Sequence, residues 1–110
     1  MKEIKAYVRT EKIDSVIQHL EEIGITGMTV IDVSTIGSWA DPEESRVSIE
    51  YCDKYCCSVK NELVCKDDDV GKIISVIVDN AHTGNKGDGK IFVSDIDKAI
   101  SIRTKQAEVL

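Results

Sequence analysis

The strongest constraint on the fold is a strand, helix, strand pattern of apolar residues that occurs twice along the chain. In residues 3–9, apolar and polar side chains alternate with the period of a half-buried strand. Apolar residues in 11–23 recur at the spacing of one helix face, with Thr10 placed to cap its start and Gly24 to end it. Residues 28–33 are rich in β-branched side chains and predict a second strand.

The same pattern returns in the second half of the chain. Residues 59–65 alternate again, Asp67 is placed to cap a helix over 70–81, and residues 90–94 form a fourth apolar strand. A short helix or strand is expected around residues 99–103. Two such units predict an α+β, ferredoxin-like fold of the split type βαββαβ, an antiparallel sheet with both helices on one face. With only five aromatic residues, a second subunit is the expected cover for the other face.

An excursion of about residues 37–57 separates the two units. Its periodicity fails, and residues 41–45 read Asp-Pro-Glu-Glu-Ser, which is turn-like and charged. Loops of this length in a compact domain are usually functional or disordered. We therefore predict a single domain over residues 1–110 with one core and one long loop.

The composition excludes several classes of function. Fourteen Lys and Arg residues against twenty Asp and Glu give a net charge of -6, which repels nucleic acids and anionic lipids. No apolar run approaches the ~20 residues of a membrane span. The N-terminus has no secretory signal, so a cytoplasmic protein with reduced cysteines is expected. A small anion can still bind, because backbone N–H groups and lysines act locally.

Residues 83–90, Thr-Gly-Asn-Lys-Gly-Asp-Gly-Lys, combine three glycines and two lysines between a helix and a strand. Glycines allow the backbone to approach a ligand closely, and a lysine neutralises an anion held by N–H groups. This pattern predicts a phosphate site. It is not a Walker P-loop, because Ile91 stands where Ser or Thr would hold magnesium. A glycine-rich turn kept for its connection geometry is the alternative.

Residues 83–84, 87–93 and 102–104 resemble the C-terminal signature of the PII signal-transduction family. Residues 24–30 resemble that family's segment between the first helix and second strand, and the resemblance is weakest between 38 and 58. It implies a homotrimeric regulator of nitrogen metabolism rather than an enzyme. Such a protein binds adenine nucleotide in clefts between subunits and controls a membrane transporter or metabolic enzyme through a long loop.

The resemblance also implies which residues bind the nucleotide, with ATP, ADP and AMP all as candidates. The phosphates would be held by Gly87, Asp88, Gly89, Lys90 and Arg103. The adenosine would contact Thr29, Glu62 and Val64, and Gly37 would approach from the base of the loop.

Three positions depart from the residues usual in the family. Members that sense 2-oxoglutarate with magnesium and ATP have a glutamine and a lysine where this chain has Trp39 and Ser58. Tryptophan offers no oxygen to a hard cation and serine offers no charge to a carboxylate, so 2-oxoglutarate sensing of this kind is not expected. The sequence does not decide whether magnesium accompanies the nucleotide. Ser101 replaces one of two arginines. This loss predicts weaker nucleotide binding or a shift toward ADP or AMP.

The excursion carries a tyrosine at a position that is uridylylated in many bacterial members. Tyr51 is a possible modification site for that reason. The residues at 45–49 differ from the usual neighbours, and a modifying enzyme reads that context. We therefore expect an unmodified tyrosine.

Three cysteines of the excursion are weak candidates for a metal site: Cys52, Cys56 and Cys57. Tetrahedral zinc prefers two close pairs or a pair with histidines, and the fourth cysteine, Cys65, is distant in sequence. A disulfide within the excursion is the other option. A metal- or redox-responsive trimeric module is thus the alternative function, and inert thiols are the default.

Overall fold

The computed structural model describes the backbone of residues 1–41, 46–48 and 53–110, and the side chains of residues 1–41 and 57–110. Within these residues the chain forms five strands and two α-helices. In chain order they are β1 (Lys2–Arg9), α1 (Ile13–Glu22), β2 (Thr29–Ile36), β3 (Arg46–Ser48), β4 (Asp53–Cys65), α2 (Val70–Ala81) and β5 (Lys90–Asp95). A 3-10 turn precedes each helix and another, Gly37–Trp39, follows β2.

The strands form one antiparallel sheet in the order β2-β4-β1-β5, with β3 paired to the start of β4. At its centre Ala6 of β1 lies opposite Asn61 of β4 and Ile91 of β5. Both helices pack on the same side of this sheet. The predicted ferredoxin-like α+β fold is confirmed, while the homotrimer stays a prediction.

The core lies between the sheet and the two helices. Every second residue of β1 is buried in it: Ile4, Ala6 and Val8. The helices contribute aliphatic side chains such as Leu20 and Ile73, and burying each of these stabilises the fold by about 1.5–3 kcal/mol. The opposite side of the sheet, here called the open face, leaves apolar side chains about 40% exposed in this chain: Ile31, Val64 and Phe92.

The excursion differs from the prediction because part of it belongs to the sheet. The third long strand begins at Asp53 rather than at residue 59, and residues 46–48 pair with its first residues. The ladder between β2 and β4 runs on to Ile36 opposite Tyr55. No residue of β2 is buried, so no core imposes a period-two apolar pattern on its side of this ladder.

The predicted side-chain caps were wrong. A 3-10 turn begins at Thr10 and another at Asp67, and neither residue caps the helix that follows. Asp67 instead accepts a hydrogen bond from the amino terminus of Met1. Gly24 follows the end of α1, as predicted. Around residues 99–103 the chain forms a turn with one bridge, Ile100 to Ala107, instead of a helix or strand.

Among the residues that the structure describes, neither helix has the length and apolar content that crossing a bilayer requires.

Candidate functional site

The glycine loop, residues 83–90, folds around the carboxylate of Asp88. The backbone N–H groups of Thr83 and Gly84 each donate to Asp88 Oδ2 over 2.8 Å, and the Thr83 hydroxyl donates to Oδ1. Burial would raise the pKa of Asp88, but these bonds and the one from Arg9 outweigh it and hold the pKa well below its usual range. The side chain of Asp88 therefore determines the shape of the loop from inside.

Arg9, the last residue of β1, ties this loop to the base of the excursion. Its side chain is almost fully buried, with 4% of the residue exposed. Nε donates to Asp88 Oδ1 (3.1 Å), Nη2 to the Lys86 carbonyl (3.0 Å) and Nη1 to Asp41 Oδ2 (2.6 Å). Burial works to lower the pKa of Arg9, yet the bonds to Asp41 and Asp88 more than offset this and raise it. A buried guanidinium with two carboxylates is a charge-assisted network of the strong kind.

Two positions of the loop require glycine for steric reasons. Gly89 has φ +106°, and a Cβ there would lie 1.7 Å from the carbonyl oxygen of Tyr7. Gly87 has φ +105°, and its Cβ would lie 2.6 Å from Asp41 Cβ. Connection geometry therefore suffices to explain these two glycines, and their presence is not evidence for a phosphate.

Lys90, at the end of the loop, begins β5 opposite Tyr7. Its ammonium lies 5.1 Å from the centre of the Trp39 ring, close enough for a cation–π contact. Trp39 stacks on Phe92 with ring centres 5.6 Å apart and meets the edge of Tyr7 at 6.0 Å. Residues 37–41, here called the Trp39 turn, thus place an aromatic cluster beside the lysine that was predicted to bind phosphate. The contact between Trp39 and Lys90 was not predicted.

The residues predicted to bind the nucleotide fall into three groups in this chain. Lys90 and the rest of the glycine loop lie near the Trp39 turn, which contains Gly37. Thr29 and Glu62 are direct neighbours across β2 and β4, and Val64 lies two residues further along β4. The second group shares the open face with Lys90, but β1 lies between them in the sheet. Arg103 is exposed in the turn that follows β5. One chain therefore brings together the residues within the first group and within the second, but it keeps these two groups apart.

An apolar cavity of about 380 Å³ next to the loop was also not predicted. It lies between α2 and β5, and its apolar wall includes Ile77, Val78 and Ile91. Asp88, Lys90 and His82 also line it. His82 Nδ1 is 3.7 Å from Asp88 Oδ2. The available sequence signal was Val78, an apolar residue outside the predicted buried face of this helix, and its side chain is half-exposed.

The cysteines and Tyr51 are only partly described. Cys57 is exposed and Cys65 is buried, and eight residues of one strand separate them by about 27 Å, far beyond the reach of a disulfide. Among the side chains described, no three His, Cys, Asp or Glu residues are grouped as metal ligands. Tyr51 and Cys52 lie outside the described residues, as does the side chain of Cys56.

Known proteins match this chain along almost its whole length. A sequence model described as "Nitrogen regulatory protein P-II" matches residues 1–106. The "Nitrogen regulatory protein P-II" of Pasteurella multocida is 41% identical over 104 residues, covering 94% of this chain and 93% of that protein. The "Nitrogen regulatory protein P-II 1" of Methanothermobacter thermautotrophicus is 40% identical, covering 94% and 90%. Its counterpart in Escherichia coli strain K12 is 41% identical over 108 residues, covering 98% and 96%.

These matches confirm the resemblance carried by residues 24–30 and by the glycine loop with its flanking residues. They extend through the excursion, where the resemblance read from the sequence was weakest. The prediction that the chain is a regulator rather than an enzyme agrees with them. The chain belongs to the nitrogen regulatory protein P-II family, whose members are signalling regulators and not enzymes.

Proposed function

We propose that this P-II family chain binds an adenine nucleotide through its glycine loop and Lys90, in clefts between the subunits of a homotrimer. The bound state then controls a membrane transporter or metabolic enzyme through the excursion at residues 37–57. The observation that carries the proposal is the preformed loop: Asp88 and Arg9 hold it in one shape, with Lys90 at its end on the open face. A site built before the ligand arrives binds with a smaller loss of entropy.

The charges around the loop suit a phosphate despite the net charge of -6. The single positive charge of Arg9 offsets half of the negative charge of Asp41 and Asp88, so this pair repels an anion less than two free carboxylates would. Lys90 supplies a positive charge that can bond a phosphate oxygen, which is among the stronger polar contacts in proteins. In this proposal Asp88 contributes its backbone and its shaping of the loop, and its carboxylate does not touch the phosphate.

The separation of the predicted site residues supports a cleft between subunits. Thr29, Glu62 and Val64 lie on strands that β1 separates from Lys90. A neighbouring chain that packs on the open face can complete the site with its own copy of either group. The exposed apolar side chains of that face, such as Val64 and Phe92, give such packing a hydrophobic driving force.

Isothermal calorimetry with ATP, ADP and AMP tests the binding proposal. We expect binding of at least one nucleotide, and a decrease in its affinity of about tenfold or more in Lys90→Ala, which loses a charge-assisted bond. Lys72→Ala is the matched control, because Lys72 is an exposed lysine of α2 that does not line the cavity beside the loop. Failure of all three nucleotides to bind the wild-type protein would reject the proposal.

Light scattering on the eluted protein tests the assembly. We expect a mass of three times the 12.2 kDa chain. Phe92→Lys should lower this mass, because it places a second charge beside Lys90 on a face that packing would bury. A wild-type protein that elutes as a monomer would contradict the intersubunit cleft.

A further inference from the structure

Arg9 is the side chain that joins the glycine loop to the Trp39 turn. Two of its nitrogens bond the loop, at Asp88 and at the Lys86 carbonyl, and a third bonds Asp41 in the turn. Asp41 is itself nearly buried, at 8% exposure. A guanidinium buried between two carboxylates cannot leave either one without exposing an unpaired charge to a poorly solvated site.

Packing joins the same two segments independently of charge. At Gly87 an added Cβ would come within 2.9 Å of Asp41 Cα and of Asp41 N. The backbone of the loop thus lies directly against the backbone of the turn. A shift of either segment at this point displaces the other, because close-packed atoms have no room to absorb it.

A third contact between the two segments lies at Lys90. Its ammonium faces the ring of Trp39, two residues before Asp41 in the chain. The loop and the turn therefore meet at Arg9, at Gly87 and at Lys90. An anion that draws the Lys90 ammonium away from the indole breaks one of these contacts. The bonds of Arg9 and the packing at Gly87 then have to hold the two segments together.

We propose that Arg9 and Asp41 are positioning residues that couple the glycine loop to the Trp39 turn, so that each segment reports the state of the other. The role of a nucleotide as the trigger rests on the proposed function. The coupling itself does not, because its contacts are present in the chain alone.

Two alanine variants test the coupling without any ligand. Trp39 is the single tryptophan of the chain, so its fluorescence reports on the turn alone. Gly87→Ala adds a methyl group against Asp41, whereas Gly84→Ala adds the same group at a similar φ of +89° but meets nothing closer than 3.8 Å. We expect acrylamide quenching of Trp39 to rise about twofold in Gly87→Ala and to stay near wild type in Gly84→Ala. Equal responses in the two variants, with folding checked by circular dichroism, would overturn the coupling.

Asp41→Asn tests the coupling from the other side and adds no backbone strain. The amide hydrogens of Thr83 and Gly84 are bonded to Asp88, so their exchange with solvent reports the order of the loop. We expect both to exchange about tenfold faster in Asp41→Asn than in wild type. Ser38→Ala, an exposed change in the same turn, should leave them unchanged. Unchanged exchange of the Thr83 and Gly84 amides in Asp41→Asn would mean that Arg9 holds the loop independently of the turn. The inference would then fail.

A titration with ADP separates this inference from the proposed function. In wild type we expect ADP to slow exchange of the Ala40 amide, which donates to the Gly37 carbonyl within the turn. In Asp41→Asn, saturating ADP should no longer slow exchange of the Ala40 amide. If wild type binds no ADP, the proposed trigger fails, and the two ligand-free experiments still decide the coupling. If Ala40 responds equally in both proteins, the coupling is wrong.

Discussion

The glycine loop and the turn that carries Arg103 were both predicted to hold the phosphates, yet the chain builds them in opposite ways. Besides its internal bonds to Asp88, the loop is fixed by contacts with residues far away in sequence, among them Arg9 and the Tyr7 carbonyl. The turn is fixed by its own backbone: the Ser101 N–H donates to the Gln106 carbonyl and the Lys105 N–H to the Ser101 carbonyl. Ile102, beside Arg103, is 95% exposed.

This difference separates what folding alone prepares from what assembly has to add. A loop held by a buried guanidinium keeps its shape in an isolated chain. The turn presents an isoleucine and an arginine to solvent, and these side chains add little stability to the chain unless another surface covers them.

Gly89→Ala should be the most damaging change. Its methyl group would overlap the Tyr7 carbonyl oxygen, and φ +106° strains any other residue. We expect a loss of about 3 kcal/mol or more of unfolding free energy, measured by urea denaturation. Gly84→Ala, with only the backbone strain, should lose about 1 kcal/mol. Similar losses in the two variants would mean that the loop does not depend on its contact with β1.

Asp88→Asn should cost about 1–2 kcal/mol at pH 7, because the hydrogen bonds around the carboxylate favour its charged form. The pKa of Asp88 lies lower in the folded than in the unfolded state, so its stabilisation is present above pH ~4 and is lost as the pH falls below that value. The gap between variant and wild type should therefore narrow below about pH 4. Urea midpoints from pH 7 to 3 give this comparison, and a constant gap would contradict it.

Arg103→Ala should have the smallest effect on the fold and a large one on the ligand. We expect the melting temperature to stay within about 2 °C of wild type, since Arg103 is exposed. The affinity for the nucleotide should fall about tenfold if Arg103 reaches a phosphate in the assembled cleft. Lys98→Ala serves as a nearby exposed control. A loss of stability in Arg103→Ala would show that the turn, like the glycine loop, stabilises the isolated chain.

The regular elements were predictable because the apolar residues that face the core recur along the sequence with a fixed period. Ile4 and Val8 alternate on a strand and Ile73 and Ile77 recur on a helix face, and each pattern has one physical cause. The family was predictable from residues 24–30, 83–84, 87–93 and 102–104 taken together. The outer part of β4 was not, since it pairs with the end of β2, where no residue is buried. The 3-10 start of each helix was not predictable either.

The network behind the loop was not predictable for a different reason. Arg9 reads in the sequence as the polar member of an alternating strand, and its burial depends on Asp41 and Asp88, which lie 32 and 79 residues away. Trp39 reads as a departure from the family, and only the folded chain brings its ring to Lys90. Local periodicity carries no information on such pairs.

The close approach of Gly89 to the Tyr7 carbonyl has a consequence for how relatives of this chain are read. Any descendant that keeps the sheet must keep a glycine at this position, including one that no longer has anything to sense. Invariance of that glycine in an alignment would then record the path of the main chain and say nothing about whether a nucleotide is used. Variation at Lys90 or Arg103, which the architecture does not require, is the place where gain or loss of a ligand would leave its trace.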